Sequence, residues 1–240
     1  MPTKRQSPTI IGFNELFDFL KGFNLSSVLD LKDFQERFKG IYKKYHPIIT
    51  WNSYISMRRP KYFNSDEQYK LYRNYFTEVT SDFCQALFLW CQGLYKPCNL
   101  ILRSGIENFV RCLGIYENHP VLEITSAYDL FAFVRKIGIV TLNKELTKKF
   151  DELHSCYIDL CAFVHTIDED FMSMITSVGG LPKFSDSDAT VFKNHFYKIS
   201  NSLNSFLFVC FHDELKKMHH QDYDLILDSL PASIKRLLQN

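Results

Sequence analysis

Apolar residues recur along most of this chain at intervals of three and four, the spacing of one face of a helix, while alternation by two is hard to find. Only nine glycines and eight prolines punctuate it, so helices are expected to dominate. A short candidate helix surrounds "FNELFDFL". In the following "LKDFQERFKGIYKKYH", Leu31, Phe34, Phe38, Ile41 and Tyr45 share a face. Pro47 is expected to end that helix, because a proline disfavours the helical conformation of the residue before it. The next stretch, "ITWNSYISMRRPKYFN", is aromatic and basic without a period and reads as an ordered loop laid over a bundle.

Asp66 is placed to cap a long helix running to about Gly93, with Tyr69, Tyr72, Phe76, Val79, Phe83, Leu87 and Trp90 along its buried stripe. "YKPCNLILRSGIENFVRCLGIYE" predicts the next helix, with Pro97 in its first turn, and the two should pair as an antiparallel hairpin. Ser126 followed by Asp129 predicts a helix start, and Gly138 a stop. From Asn143, the positions Leu146, Phe150, Leu153, Tyr157, Leu160 and Val164 mark a strongly amphipathic helix ending at His165. Residues 166–185 are rich in Gly, Pro, Ser and Asp and read as a mobile loop. A last long helix is expected over residues 189–218, then a short one in "LPASIKRLLQN". The expectation is an all-α antiparallel bundle: residues 1–65 add N-terminal helices and an aromatic, basic loop, and residues 66–240 form the core, in one continuous domain.

Composition narrows the function classes. Hydrophobic residues make up 46% of the 240 and aromatics 15%, which disfavours both disorder and a coiled-coil rod. The 28 Lys and Arg nearly cancel the 27 Asp and Glu, so no global field suited to duplex DNA is present and any nucleic-acid contact must be local. Seven cysteines without CxxC spacing sit in apolar helical runs, as reduced core thiols do. The longest apolar stretch, "FLFVCF", is too short to span a bilayer. These features together lead us to expect a cytoplasmic protein with no membrane association.

Candidate chemistry is sparse. Phosphate-binding, dinucleotide, serine-hydrolase and zincin signatures are missing from the sequence. Cys84, Cys91 and Cys98 repeat at seven, but Gly93 and Pro97 interrupt the helix between them, so core thiols are the simpler reading. "MHHQDYD" offers His219, His220, Asp222 and Asp224, a weak chelating group. His154 and His165 share a helix face about 16 Å apart, too far for one ion. No metal or cofactor is therefore expected. Arg103, Glu107 and Arg111 stand four apart on an unusually apolar helix, where an arginine needs a partner. Two readings of this spacing stand side by side, a buried or cleft-lining pairing of Arg103 with Glu107 and a solvated ion row. At the end of its own helix, His165 needs no chemistry to explain it.

Two segments, "LRSGIENFVRCLGI" and "YIDLCAFVHT", resemble paired helices of the bacterial HEPN superfamily, over about residues 66–215. The resemblance implies a helical bundle that commonly dimerises and serves in phage defence, abortive infection or toxin systems, often as a metal-independent ribonuclease. In such enzymes an Arg-x4-6-His motif supplies the proton-shuttling imidazole and the guanidinium that stabilises phosphate charge. The histidine would be His165 here, but Ile158, Asp159 and Leu160 stand where the arginine belongs. What the resemblance then implies is a site of Arg103, Glu107, Tyr157 and His165, with Arg103 standing in from the neighbouring helix, Glu107 orienting it and Tyr157 adding a hydroxyl. Three functions follow as expectations. The first is an effector or interaction component of a defence system, a homodimer or bound to a partner protein of that system. The second is an active ribonuclease, with Arg58, Arg59 and Lys61 guiding RNA. The third is a regulatory or adaptor bundle unrelated to defence.

Overall fold

The computed structural model describes residues 7–165, 169 and 175–236, and every regular element among them is helical. Five long helices make the body: α3 (Lys32–Met57), α4 (Asp66–Cys91), α5 (Tyr95–Tyr116), α8 (Lys144–His165) and α9 (Asp186–Cys210). Around them lie α1 (Pro8–Leu20), α2 (Ser26–Leu29), α6 (Ala127–Val134), α7 (Gly138–Thr141), α10 (His212–Leu215), α11 (His220–Ser229) and α12 (Ala232–Arg236). The long helices pack in the cyclic order α3, α4, α5, α8, α9 and back to α3.

Consecutive neighbours in that ring run antiparallel, as their contacts show. Tyr69 of α4 reaches Ile55 of α3 while Thr77 reaches Asn52, and Gln68 at the start of α4 donates to the carbonyls of Ile115 and Tyr116 at the end of α5. A closed ring with an odd number of helices must contain one parallel pair, and here it is α9 with α3. Arg37 meets Thr190 and Lys44 meets Asn201, advancing together along both helices, and just past the end of α9 Trp51 meets Phe211 and Tyr54 meets Glu214.

The α4–α5 hairpin is set by local chemistry at both ends. Ser65, rather than the expected Asp66, caps α4 by accepting from the Gln68 N–H, while the Gln68 side chain accepts from Asn64 N–H at 2.8 Å. At the other end Gly93 adopts φ +75°, with its N–H on Trp90 O and the Leu94 N–H on Leu89 O. That pairing closes the helix and satisfies its last carbonyls. A Cβ on Gly93 would collide with the Lys183 backbone, so this turn must be glycine for space as well as for conformation.

Pro47 does not end α3, which continues to Met57. An interior proline costs about 3 kcal/mol in a helix. Ile48, Trp51 and Ile55 beyond it are fully buried, and burial of such side chains contributes roughly 1.5–3 kcal/mol each. Packing therefore outweighs the break, and much of the stretch read as a loop is helix. Leu31, expected on the buried face, is the exposed residue just before α3.

The expected helix over residues 189–218 is also interrupted. It begins at Asp186, where Ser185 caps it, and stops at Cys210, because the ring of Phe211 is drawn into a cage of Trp51, Phe63, Tyr72 and Tyr116. The Tyr116 hydroxyl takes up the freed Cys210 carbonyl at 3.0 Å. Gly138, read as a stop, instead opens α7, and its N–H donates to Glu117. Asn143 and Ser126 act as expected starts. Of the loop expected at 166–185, residues 166–168 and 170–174 lie outside the described residues. No helix of the described chain is long and apolar enough to cross a membrane.

Candidate functional site

Arg103 and Glu107 project from the middle of α5 toward α8, whose Tyr157, Cys161 and His165 lie four apart on one stripe. The apolar stripe of α8, Leu146, Phe150, Leu153 and Leu160, is fully buried. It clamps the helix against the bundle and holds the polar stripe over α5. Tyr157 is itself buried and packs on Phe131 of α6 at 4.8 Å between ring centres.

The structure brings three of the four expected residues together. The Arg103 Nη2 donates to the Tyr157 hydroxyl at 2.5 Å, its Nε donates to Cys161 Sγ at 3.2 Å, and the guanidinium lies over the Tyr157 ring at 4.7 Å. Tyr157 in turn donates to Glu107 at 3.5 Å, a long contact. Glu107 is held by Arg111, at 3.3 Å. The spacing allows a direct pairing of Arg103 with Glu107. Glu107 meets Arg111 instead, and the tyrosine carries the link to Arg103. Arg111 is committed elsewhere as well, donating to the carbonyls of Val121 and Ile124 and pinning the turn that follows α5.

Electrostatics follow this geometry. Burial pushes the Tyr157 phenol up to about 12, Arg103 pulling against it and Glu107 adding to it, so at neutral pH it is an uncharged hydroxyl that accepts from one neighbour and donates to the other. Burial works against the charge on Arg103, but Cys161, Tyr157 and Glu107 together raise its pKa above the ordinary value. The cation is therefore fixed in place, and its Nη1 has no protein hydrogen bond among the described residues. A guanidinium with one edge anchored and another free suits a bidentate contact to a phosphate or carboxylate.

His165 ends α8 in an exposed position, one helical turn and so about 6 Å along the axis beyond Cys161. It makes no hydrogen bond or ion pair among the described residues. His154, on the same helix, stacks on Phe131 at 4.7 Å and is part of the packing. Asp159, which stands where the superfamily motif would put an arginine, turns to α9 and lies 3.6 Å from His195.

The basic segment is placed apart from this cluster. Arg59 is engaged by Asp66 and the Phe63 carbonyl, Arg58 lies against the Tyr54 ring, and Lys61 is exposed. Their loop adjoins the C-terminal end of α5, where Tyr62 and Phe63 meet Tyr116. Tyr116 is thirteen residues beyond Arg103, about 20 Å along the helix. Sequence reasoning missed the role of Cys161 as an acceptor for Arg103, although its spacing of four from Tyr157 and from His165 was the available signal. Among the described residues no three His, Cys, Asp or Glu side chains are grouped so as to hold a metal ion.

Comparison with known proteins adds no assignment: no family model, no curated protein and no solved structure matches this chain.

Proposed function

We propose that this chain is a HEPN-like effector or interaction component of a bacterial anti-phage, abortive-infection or toxin system. In this reading the α5–α8 cluster holds an RNA phosphate, and the protein works as a homodimer or with a partner protein of the same system. The observation that carries the reading is the anchoring of Arg103: Tyr157 and Cys161 fix one edge of its guanidinium while another edge stays unpaired. An arginine needed only for packing would be expected to use its donors on the protein, as Arg111 does with Val121, Ile124 and Glu107.

A second reading, metal-independent RNA cleavage, draws on His165. An exposed imidazole one turn from Cys161 can share a phosphodiester with Arg103: the imidazole takes the proton of the ribose 2′-hydroxyl as its oxygen bonds to phosphorus and the P–O5′ bond breaks, the imidazolium returns that proton to the departing oxygen, and the guanidinium holds the developing charge. Glu107 then acts through Tyr157 to position the cation.

Incubation of the protein with total RNA in the presence of a chelator tests both. Fragments ending in cyclic phosphate that vanish in Arg103→Ala and in His165→Ala establish cleavage. Retained RNA binding that weakens only in Arg103→Ala, without fragments, supports the binding role. Cleavage and binding both unchanged in the two variants would remove the α5–α8 cluster from either function.

A further inference from the structure

We propose that the cleft between α1, α3 and α11 binds a small phosphorylated molecule, its phosphate toward Lys39, Lys43 and the start of α1 and its hydroxyl-bearing end toward Asp224 and Asp228. This site uses none of the α5–α8 residues and stands independently of the function proposed above.

The cleft encloses about 600 Å³, within the range of small-ligand sites. Its walls differ in charge. On one side Lys39, Lys43 and Lys44 line it from α3, with the first turn of α1 beside them. Ser7 starts α1 without a side-chain cap, and no acidic residue lies in that first turn, so the positive end of the helix dipole adds to the lysines. On the other side Asp224 and Asp228 stand one turn apart on α11.

Opposite charges facing one another across a concave surface would ordinarily pair. Here no ion pair joins these lysines to these aspartates among the described residues; the cleft holds them apart. Lys39 and Lys43, four apart on one helix, repel one another instead, which destabilises the empty cleft. A bound anion removes that cost. Lys44 turns its Nζ to Asn201 of α9 at 2.7 Å, which leaves the anion to Lys39 and Lys43.

The chemistry of the two walls sets the ligand class. Lysine ammonium groups donate and cannot accept, and ionised carboxylates accept and cannot donate. The ligand must therefore offer anionic oxygens at one end and hydroxyl or amine donors at the other. A simple dianion satisfies only the first wall, and the two carboxylates would repel it. A sugar phosphate or a mononucleotide satisfies both, with neighbouring hydroxyls presented to the paired aspartates.

Calorimetric titration of the full chain at low salt, with inorganic phosphate, ribose 5-phosphate and adenosine 5′-monophosphate as probes, tests this. Ribose 5-phosphate or the nucleotide should bind more tightly than inorganic phosphate, and the difference between these two ligands shows whether a base contributes. Lys39→Ala with Lys43→Ala should weaken binding about tenfold or more, the scale of a charge-assisted hydrogen bond. Asp224→Asn with Asp228→Asn should reduce the preference over inorganic phosphate. Both lysines are exposed, so the variants should fold; far-UV circular dichroism checks it, and Lys43→Glu repeats the test by charge reversal. Arg103→Ala, which removes any phosphate contact at the α5–α8 cluster, should leave both the preference for the sugar phosphate and the loss in the lysine variants in place, which separates this site from that cluster. Absence of binding by all three probes at millimolar concentration, wild-type affinity in the lysine variants, or inorganic phosphate binding as tightly as the sugar phosphate would overturn the proposal.

Discussion

Tyr157→Phe isolates the energetic contribution of the hydroxyl that bridges α5 and α8. The phenylalanine ring keeps its packing on Phe131 and its place beneath the guanidinium. What disappears is the bond from Arg103 at 2.5 Å and the weak donation to Glu107 at 3.5 Å. Hydrogen bonds to charged groups contribute about 1.5–3 kcal/mol, and the partial exposure of Arg103 moves this one to the low end, about 1–2 kcal/mol after screening. In a chain of 240 residues each kcal/mol shifts Tm by roughly 2–4 °C, so a fall of about 2–8 °C is expected. Urea denaturation should show the same loss in midpoint with an unchanged slope. A double-mutant cycle with Arg103→Met should return a coupling of about 1 kcal/mol, within the range for residues in direct contact. A Tm within a degree of wild type, or zero coupling, would refute the argument that this hydroxyl ties the two helices together.

Three further outcomes follow from the packing. Gly93→Ala should lower stability by more than about 1 kcal/mol, because the positive φ is strained for alanine and the new methyl meets the Lys183 backbone; thermal melting checks it. Asp82 is buried between α4 and α5, and burial, with help from Glu78, raises its pKa although Ser104 and Asn108 pull it down. Its folded pKa lies above the unfolded one, so its contribution is fully present below about pH 4 and is lost as pH rises through the folded value. Asp82→Asn should therefore be at least as stable as wild type at pH 7 and show less loss of Tm between pH 4 and 7. His195 behaves in the opposite sense. Burial lowers its pKa against the pull of Asp159, so its contribution is present above about pH 6.5 and lost as pH falls, and His195→Gln should flatten the decline in Tm between pH 7 and 5.

Helix content was legible because the apolar spacing reflects burial directly. Phe34, Phe38, Ile41 and Tyr45 in α3, and Leu146, Phe150, Leu153, Tyr157 and Leu160 in α8, are all buried. Boundaries that depend on partners from elsewhere in the chain were not legible. Pro47 is a strong local breaker, and only the core waiting for Trp51 and Ile55 explains why the helix passes through it. Nothing near Phe211 in sequence announces a break. The aromatic rings that gather around it come from α3, α4, α5 and the loop before α4, up to 160 residues away (211 against 51).

The same division between local spacing and distant partner governs the polar cluster. Spacing of four correctly put Arg103, Glu107 and Arg111 on one face, yet it could not tell an ion ladder from two separate arrangements. The separation arises because helix α5 has different neighbours along its length. Near Arg111 the chain turns back, and two carbonyls of that turn compete for the guanidinium. Near Arg103 the neighbour is α8, which offers a phenol and a thiol but no carboxylate, 54 and 58 residues downstream. Two arginines on one apolar helix, four residues either side of Glu107, therefore reach different ends. One uses its donors on two carbonyls and Glu107; the other is anchored by a phenol and a thiol, and its Nη1 has no protein hydrogen bond among the described residues. The apolar stretch around both made burial foreseeable, but which guanidinium stays available is a property of the assembled bundle alone.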